Sequence, residues 1–369
     1  MHPLKCTRAP AILLLVTGLG VGGAERMVLD LARGCQQRGH RVVVVSLTGE
    51  DSLLQVIDAS GLDIRLLRMP KTARGFAQGV SRLRRILRNE EIDLVHAHMP
   101  HAAILASAVR LRMPELKVIH TSHNFGGISW QQRMALIALR RWRDVDVLLA
   151  PGQHPAINAA RTIVIPNGIP IDQAAPPDSG PRLAAPLPDD AGKGPLLLAI
   201  GRLSEQKDFG TLIDAFGQWR ARRTDEARLW IAGDGPQREA LQARILAAGL
   251  DGPVRLLGIR SDIPALLASA DAFVMSSRWE GLPLVVLEAG AAGVPVIAPP
   301  VGALPWLLGD DRGWLAEPAS LAQALDACFG DPSEAGQRAE RLRTMVREQF
   351  THERFIDAHL ALYRQLDQA

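Results

Sequence analysis

Cysteine is scarce in this chain. Cys6, Cys35 and Cys328 are odd in number and far apart, which excludes a disulfide framework and a cysteine-based zinc pattern and points to a reducing cytoplasm. Long apolar runs are missing too, since none approaches the roughly 18–20 residues needed to span a bilayer. The N-terminus imitates a signal peptide, with Lys5 and Arg8 ahead of Ala9–Val16. That run is short, leads into Gly18-Leu19-Gly20 and lacks a small-residue cleavage site, so it reads as a first buried strand. No nucleic-acid-binding module is recognisable, and nucleic acid is not expected as a partner. The net charge of +3 is small, but it is unevenly spread. Residues 1–173 carry 22 Lys/Arg against 13 Asp/Glu, a net +9, and residues 174–369 carry 20 against 26, a net −6. A basic first half suits an anionic partner such as an acidic membrane surface or a phosphorylated acceptor.

A chain of 369 residues has room for two domains of ordinary size. In the first half, apolar runs at Ile12–Thr17, Arg41–Leu47, Ile64–Met69, Leu94–His98, Lys117–Ser122, Val145–Ala150 and Thr162–Ile165 read as strands. Segments of helical period separate most of them, including Ala24–Arg38, Ala77–Arg88 and Trp130–Arg143. Continuous apolar strands alternating with helices imply a parallel, doubly wound α/β sheet. Residues 171–195 are rich in proline and read as a linker. The alternation then restarts, with strands at Leu196–Arg202, Arg228–Gly233, Val254–Leu257, Ala272–Met275 and Val294–Ala298 and helices between and after them, as far as Leu321–Phe329. The expected organisation is a Rossmann-like domain over 1–170, the linker over 171–195, a second Rossmann-like domain over 196–350, and a C-terminal helix in 351–369 crossing back to the first. Two facing domains of this kind would place a ligand in the crevice at the carboxyl ends of their strands.

The stretch 276–289 is the densest in chemistry. Glu280 lies in the loop after an apolar strand, Gly281 allows a tight turn, Leu282 follows, and Pro283 suits the first helical turn before Leu284. Glu288 stands eight positions after Glu280, on the helix itself. The free N–H groups of the first turn make an anion site, so a phosphate cradle has a hydrogen-bond-accepting carboxylate at each end. A nucleotide sugar has the same layout of hydroxyls, diphosphate and hydroxyls. On spacing alone the motif is equally a surface helix with two solvated glutamates. Upstream, Gly201 and Arg202 follow a strand and Lys207 precedes a helix, where two cations could neutralise a diphosphate. Gly233-Asp234-Gly235 is a turn through which backbone could approach a planar base, and Gly258-Ile259-Arg260 offers further backbone contacts to it.

The first half carries Gly18-Leu19-Gly20-Val21-Gly22-Gly23, a G-x-G-x-x-G loop between strand and helix. With Glu50 or Asp51 as a ribose-binding acid, it would make the chain an NAD(P)-dependent oxidoreductase, the alternative from another reaction class. His96, His98, His101, His120 and His123 have no carboxylate at ligand spacing, and no metal site is expected there. Asp144-Val145-Asp146 imitates a metal-binding pair but reads as a helix end and strand start. Trp130–Arg143 combines tryptophans with Arg133, Arg140, Arg141 and Arg143, and Arg82, Arg84, Arg85 and Arg88 lie upstream. This is either a docking face for an anionic membrane or an apolar stripe packed on the sheet with solvated arginines.

Taken together, these motifs resemble the retaining glycosyltransferases of family 4, which have the GT-B fold: two facing Rossmann-like domains with a deep interdomain cleft. The likeness rests on the Arg202 and Lys207 pair, the Gly-Asp-Gly turn and the Glu-x7-Glu helix. It also covers Gly22-Gly23-Ala24-Glu25-Arg26, 93–98, 120–124 and 165–169, and so nearly the whole chain. The resemblance implies that Arg202 and Lys207 bind the donor diphosphate, Glu288 the ribose and Glu280 the transferred sugar. It makes His123 the active-site histidine and lets Gly22 and Gly23 present backbone N–H groups to donor phosphate or acceptor. It further implies a nucleoside diphosphate sugar, UDP-linked, as donor, a glycan or lipid-linked saccharide as acceptor, no cofactor and no metal. The enzyme would act in the cytoplasm, on the inner face of the membrane. A sugar-nucleotide epimerase on the same scaffold is a third reading. Two positions depart from the pattern: Ala303 stands where a second glycine is common, and Trp306 where an acid is often found. Donor identity is therefore not carried over.

Overall fold

The structure is a computed structural model that describes residues 9–55, 57–123, 128–152, 157–159, 161–171 and 194–368. Cys6, Lys5, Arg8 and residues 172–193 of the expected linker lie outside the described residues. The chain forms two units, Met1–Asn167 with Glu353–Ala369, and Gly168–His352.

In the first unit, seven parallel strands form one sheet. They are β1 (Ile12–Val16), β2 (Val42–Ser46), β3 (Asp63–Leu66), β4 (Leu94–His98), β5 (Lys117–Thr121), β6 (Val145–Leu148) and β7 (Thr162–Val164), in the order β3-β2-β1-β4-β5-β6-β7. The run that imitates a signal peptide is the central strand β1, with all five side chains buried. Strands covered on both faces have no solvent side, which is why they read as unbroken apolar runs. Each fully buried leucine or valine contributes roughly 1.5–3 kcal/mol. The helix His352–Asp367 belongs to this unit and buries Phe355, Ile356, His359 and Tyr363. It lies so close to the helix Gly23–Gln37 that a Cβ on Gly34 would come within 2.6 Å of Ile356 Cγ1.

In the second unit, six parallel strands follow the same plan. They are β8 (Leu196–Ile200), β9 (Arg228–Ala232), β10 (Val254–Gly258), β11 (Ala272–Val274), β12 (Val296–Ala298) and β13 (Trp314–Leu315), in the order β10-β9-β8-β11-β12-β13. In both sheets the winding direction reverses once, between β1 and β4 and between β8 and β11. Loops leaving adjacent strands there run to opposite faces and open a crevice at the carboxyl edge.

Several expected elements are redrawn. The helix expected over Trp130–Arg143 stops at Ala138, a 3-10 turn follows at Arg140–Trp142, and Arg143 is extended. The helix expected from Ala77 begins at Ala73, because Thr72 caps it by accepting from the Gly75 N–H at 3.0 Å. Pro283 is the N-cap, not a first-turn residue, and the helix runs Leu284–Ala292. The helix Pro332–Gln349, capped by Asp331, is not among the helices expected from the sequence; its buried stripe is only Ala335, Ala339, Leu342 and Val346. No helix among the described residues is long and apolar enough to cross a membrane.

Candidate active site

The second-unit candidates gather at the carboxyl edge of β8 to β12. The loop after β8 carries Gly201, Arg202 and Lys207, and the loop after β11 carries Glu280 to Pro283, so the two loops flank the reversal point. Lys207 Nζ lies 2.5 Å from Glu280 Oε1, with the two side chains only 16% and 7% exposed. Three hydrogen bonds hold the loops together: Ser276 Oγ donates to Lys207 O at 2.8 Å, Gln206 Nε2 to Trp279 O at 2.9 Å, and the Arg278 N–H to Gln206 O at 2.8 Å. Arg278 also donates to Asp208 at 3.0 Å. Asp208, N-cap of the next helix, holds a left-handed conformation at φ 48°. Such strain persists where the surrounding structure enforces it.

Glu280 is fixed from a third direction. Gly302 has φ 60°, and a Cβ there would fall on the Glu280 carbonyl oxygen and 2.7 Å from that of Gly281. Ala303 N–H donates to Gly281 O at 2.8 Å. The helix Leu284–Ala292 starts at buried Pro283 with no side chain capping its N–H groups, leaving the positive end of its dipole uncompensated by a cap. Glu288 sits half-buried one turn along. Arg202 is exposed.

Two candidate base-contact segments have further roles inside the unit. A Cβ at Gly233 would run into the Gly201 carbonyl, so this glycine is needed to seat the β9 loop on the β8 loop. Asp234 turns its carboxylate onto the Gly235 N–H at 2.7 Å. The Arg260 side chain, only 3% exposed, is committed to Asp262 through bonds of 2.8 and 2.6 Å, which leaves the backbone as the part able to meet a base. Ile259 beside it is 49% exposed. Trp306, which departs from the family pattern, packs edge-on against Phe350 at 5.6 Å.

The first unit builds a second constellation. Adjacent strands β4 and β5 bring His96, His98 and His123 together, although His123 stands 25 or more positions from the other two, whereas His120, in register with Ala97, turns to the other face of the sheet and lies 3.5 Å from Asp146. The C-terminal helix adds His359 and Tyr363. His96 Nδ1 is 2.6 Å from Tyr363 Oη, and its Nε2 is 2.7 Å from Thr121 Oγ1. The His96 and His98 ring centroids lie 4.2 Å apart with the planes tilted by 34°, and His98 Nδ1 is 2.9 Å from His123 Nε2. Burial drives His96 and His98 well below the usual histidine range, helped by mutual repulsion. Burial and the neighbouring imidazoles bring His123 down to about 3, and burial brings His359 to about 4. These four rings are therefore neutral at pH 7. Met99, directly after His98, holds φ 73° as N-cap of the helix Pro100–Arg110. His101 stands apart on that helix, against Gln132 at 2.9 Å. No three His, Cys, Asp or Glu side chains among the described residues are grouped so as to hold a metal ion.

The glycine loop after β1 leads into the helix Gly23–Gln37 with Gly22 as N-cap. The Leu19 N–H donates to Glu50 O at 3.1 Å, and the Glu50 carboxylate accepts from Ser52 Oγ at 2.5 Å. Asp144 and Asp146 are both structural. Asp144 takes a bidentate pair from Arg110 and the Val118 N–H. Asp146 is fully buried against Arg143 at 2.8 Å and accepts the Ala159 N–H at 2.7 Å. Arg143 therefore leaves the group of arginines expected at a membrane face: its guanidinium is buried and also donates to Leu136 O at 3.1 Å and to Ile157 O. What the segment does expose is Trp130 at 72% and Met134 at 55%, one helical turn apart, with Arg133, Arg140 and Arg141 around them.

Comparison with known proteins converges on one group. The profile of "Glycosyltransferase Family 4" matches residues 21–173, and that of "Glycosyl transferases group 1" matches 194–331. The phosphatidyl-myo-inositol mannosyltransferase of Mycobacterium leprae is 30% identical over 361 residues, covering 94% of this chain and 89% of that protein. The lipopolysaccharide core biosynthesis glycosyltransferase LpsE of Rhizobium meliloti is 33% identical over 178 residues, 47% of this chain, and the match spans 51% of its length. Among solved structures, HepE of Anabaena in complex with UDP superposes with a TM-score of 0.79 at 20% identity, covering 96% of this chain and 100% of that one.

Proposed function

The chain belongs to the family 4 glycosyltransferases and has the GT-B class of α/β fold, and from that premise we propose the following reaction. A hexose or N-acetylhexosamine passes from a UDP-sugar to a hydroxyl of a glycan or lipid-linked saccharide, with retention at the anomeric carbon and without a metal. The observation that carries this is the Lys207–Glu280 pair beside the uncapped start of the helix Leu284–Ala292, at the reversal point of the second sheet. In this reading a cation, a helix dipole and two acids, Glu280 and Glu288, serve one donor site. UDP as the nucleotude carrier is supported by the HepE complex, and a lipid-linked acceptor by the names of the mannosyltransferase and LpsE.

In this reading Glu288 accepts from the ribose hydroxyls and Glu280 from hydroxyls of the transferred sugar. Gly233 to Gly235 and the backbone of Ile259 and Arg260 border the base. Lys207, Arg202 and the N–H groups at Leu284 meet the diphosphate. As the bond from the anomeric carbon to the β-phosphate oxygen breaks, negative charge grows on that phosphate, and these groups stabilise it more than the ground state. The acceptor oxygen attacks from the same face, and its proton passes to the departing phosphate oxygen. His123, held neutral, donates or accepts a hydrogen bond at the sugar and lacks the second ring proton that would make it a general acid at pH 7.

The test is product analysis. The purified protein is incubated with UDP-glucose, UDP-galactose and UDP-N-acetylglucosamine and short lipid-linked or alkyl glycoside acceptors, and products are read by mass spectrometry and anomeric NMR coupling. UDP and an α-glycoside are expected. A β-glycoside removes retention, and an isomerised nucleotide sugar with no UDP supports the epimerase reading.

The exposed Trp130–Met134 edge, flanked by Arg133, Arg140 and Arg141 and with Arg74, Arg82, Arg85 and Arg88 exposed on another helix of the unit, supports a cytoplasmic enzyme resting on an anionic membrane. Co-sedimentation with phosphatidylglycerol vesicles should fall sharply in Trp130→Ala/Met134→Ala; equal binding by that variant removes this face as the contact.

A further inference from the structure

We propose that Glu280 is a displaceable counter-ion that makes the donor site favour an intact nucleotide sugar over its nucleotide product. The proposal rests on the functional reading above. Glu280 Oε1 holds Lys207 Nζ at 2.5 Å, and the carboxylate is nearly buried. The pair is built, not incidental. Lys207's backbone carbonyl is tied down by Ser276, its stem runs over Gly201 with Cε 3.1 Å from where a Cβ would be, and the Glu280 backbone is seated on Gly302. With the site empty, each charge satisfies the other.

A diphosphate arriving at Lys207 competes for the same ammonium. Lys207 exchanges a carboxylate for phosphate oxygens, and Glu280 is left as an almost buried anion beside a second anion. A buried charge deprived of its partner is strongly unfavourable. A nucleotide sugar brings the remedy, because its sugar hydroxyls can donate to the released carboxylate. UDP alone brings none. Binding of intact donor thus completes an exchange that the free nucleotide leaves half done. Once the sugar has been transferred, Glu280 has lost its donors, and its return to Lys207 helps to expel UDP. The sequence cannot show this coupling, because the two residues stand 73 positions apart.

Isothermal titration with UDP, GDP, ADP and uridine tests it, on wild type and Glu280→Gln, which keeps the shape and removes the charge. UDP should bind Glu280→Gln about tenfold more tightly than wild type, a change equivalent to about 1.4 kcal/mol, while uridine, lacking phosphates, binds both alike. Glu280→Ser should show the same direction if the glutamine variant does not fold, as judged by circular dichroism. UDP affinity unchanged or weakened in a folded variant overturns the counter-ion role, and so does an equal gain for uridine. Failure of the wild type to bind any of the three diphosphates instead overturns the donor-site reading on which the proposal rests.

Discussion

His98 Nδ1 and His123 Nε2 lie 2.9 Å apart, and both rings are neutral at pH 7. Only one of the two nitrogens can carry the proton between them. His98 Nε2 is buried with no hydrogen-bond partner among the described residues. Buried acceptors are left unpaired more readily than buried N–H donors. The favoured arrangement therefore has His98 donating from Nδ1 to His123, which leaves His123 with its N–H on Nδ1.

In the proposed reaction His98 acts as a positioning residue for His123. His98→Ala should lower kcat by up to about 10²-fold, the cost of a misplaced active-site group, with the donor KM little changed. His98→Asn, whose amide can reach the Nδ1 position, should recover part of the loss. Steady-state kinetics checks both. A kcat for His98→Ala equal to wild type removes the positioning role.

Acid should destabilise the first unit through the buried imidazoles. His123 and His359 fall to about 3 and about 4 by burial, and His96 and His98 fall well below the usual range. The unfolded chain takes up protons at roughly pH 6.5, whereas the folded chain does not until far lower. Stability is therefore whole above about pH 6.5 and is lost as pH falls towards 4 and 3. Asp146 adds a later loss. Burial raises its pKa, but the His120 ring 3.5 Å away and the Arg143 guanidinium outweigh this and hold it at about 2. It protonates in the unfolded chain below about pH 3.9 and in the folded chain only near 2, so its contribution disappears across that interval. Thermal melts from pH 7.5 to 4 should show a steady fall in Tm, and a shallower one in His359→Phe. Parallel slopes remove His359 from the account.

Gly302→Ala should damage the proposed donor site more than the fold. The added methyl meets the Glu280 and Gly281 carbonyls at a left-handed φ of 60°, and overpacking of this kind costs roughly 1–3 kcal/mol. Because the loop that must move carries Glu280, donor KM should rise about tenfold or more while most of the thermal stability survives. An unchanged KM would show that the Glu280 loop tolerates displacement.

Positive charge in the proposed reaction comes from Lys207, Arg202 and the helix start at Leu284. Dialysis against EDTA should leave turnover within about twofold of the untreated enzyme, well inside the hundredfold or greater loss typical of removing one group that stabilises transition-state charge. Loss of activity that returns on adding Mg²⁺ or Mn²⁺ contradicts a metal-free reaction.

The parts of this molecule visible from its residues are the local ones. Runs such as Ile12–Val16 and Val42–Ser46 announce buried parallel strands because their period does not alternate. Glu280 and Glu288 could be paired because one loop and helix carry both. What sequence reasoning missed depends on contacts between distant segments. Nothing near His98 points to His123 as its partner, and nothing near His96 points to Tyr363, 267 positions away. Gly302 looks like an ordinary turn glycine until the Glu280 carbonyl is seen behind it. Arg143 looked like one more surface cation because its partners, Asp146 and the Leu136 and Ile157 carbonyls, are assembled only by the fold. The helix Pro332–Gln349 escaped because only four of its 18 residues, Ala335, Ala339, Leu342 and Val346, are buried, which makes a faint stripe.

In the proposed reaction the second-unit site holds a nucleoside diphosphate. The most direct measurement is a thermal-shift titration with UDP, GDP, ADP, NAD and NADP on wild type and Glu288→Ala, since a ligand of the native state raises Tm. A rise with UDP that disappears in Glu288→Ala is the expected result. A rise with NAD or NADP alone, unaffected by Glu288→Ala, contradicts it and moves the working site to the glycine loop at Gly18–Gly23.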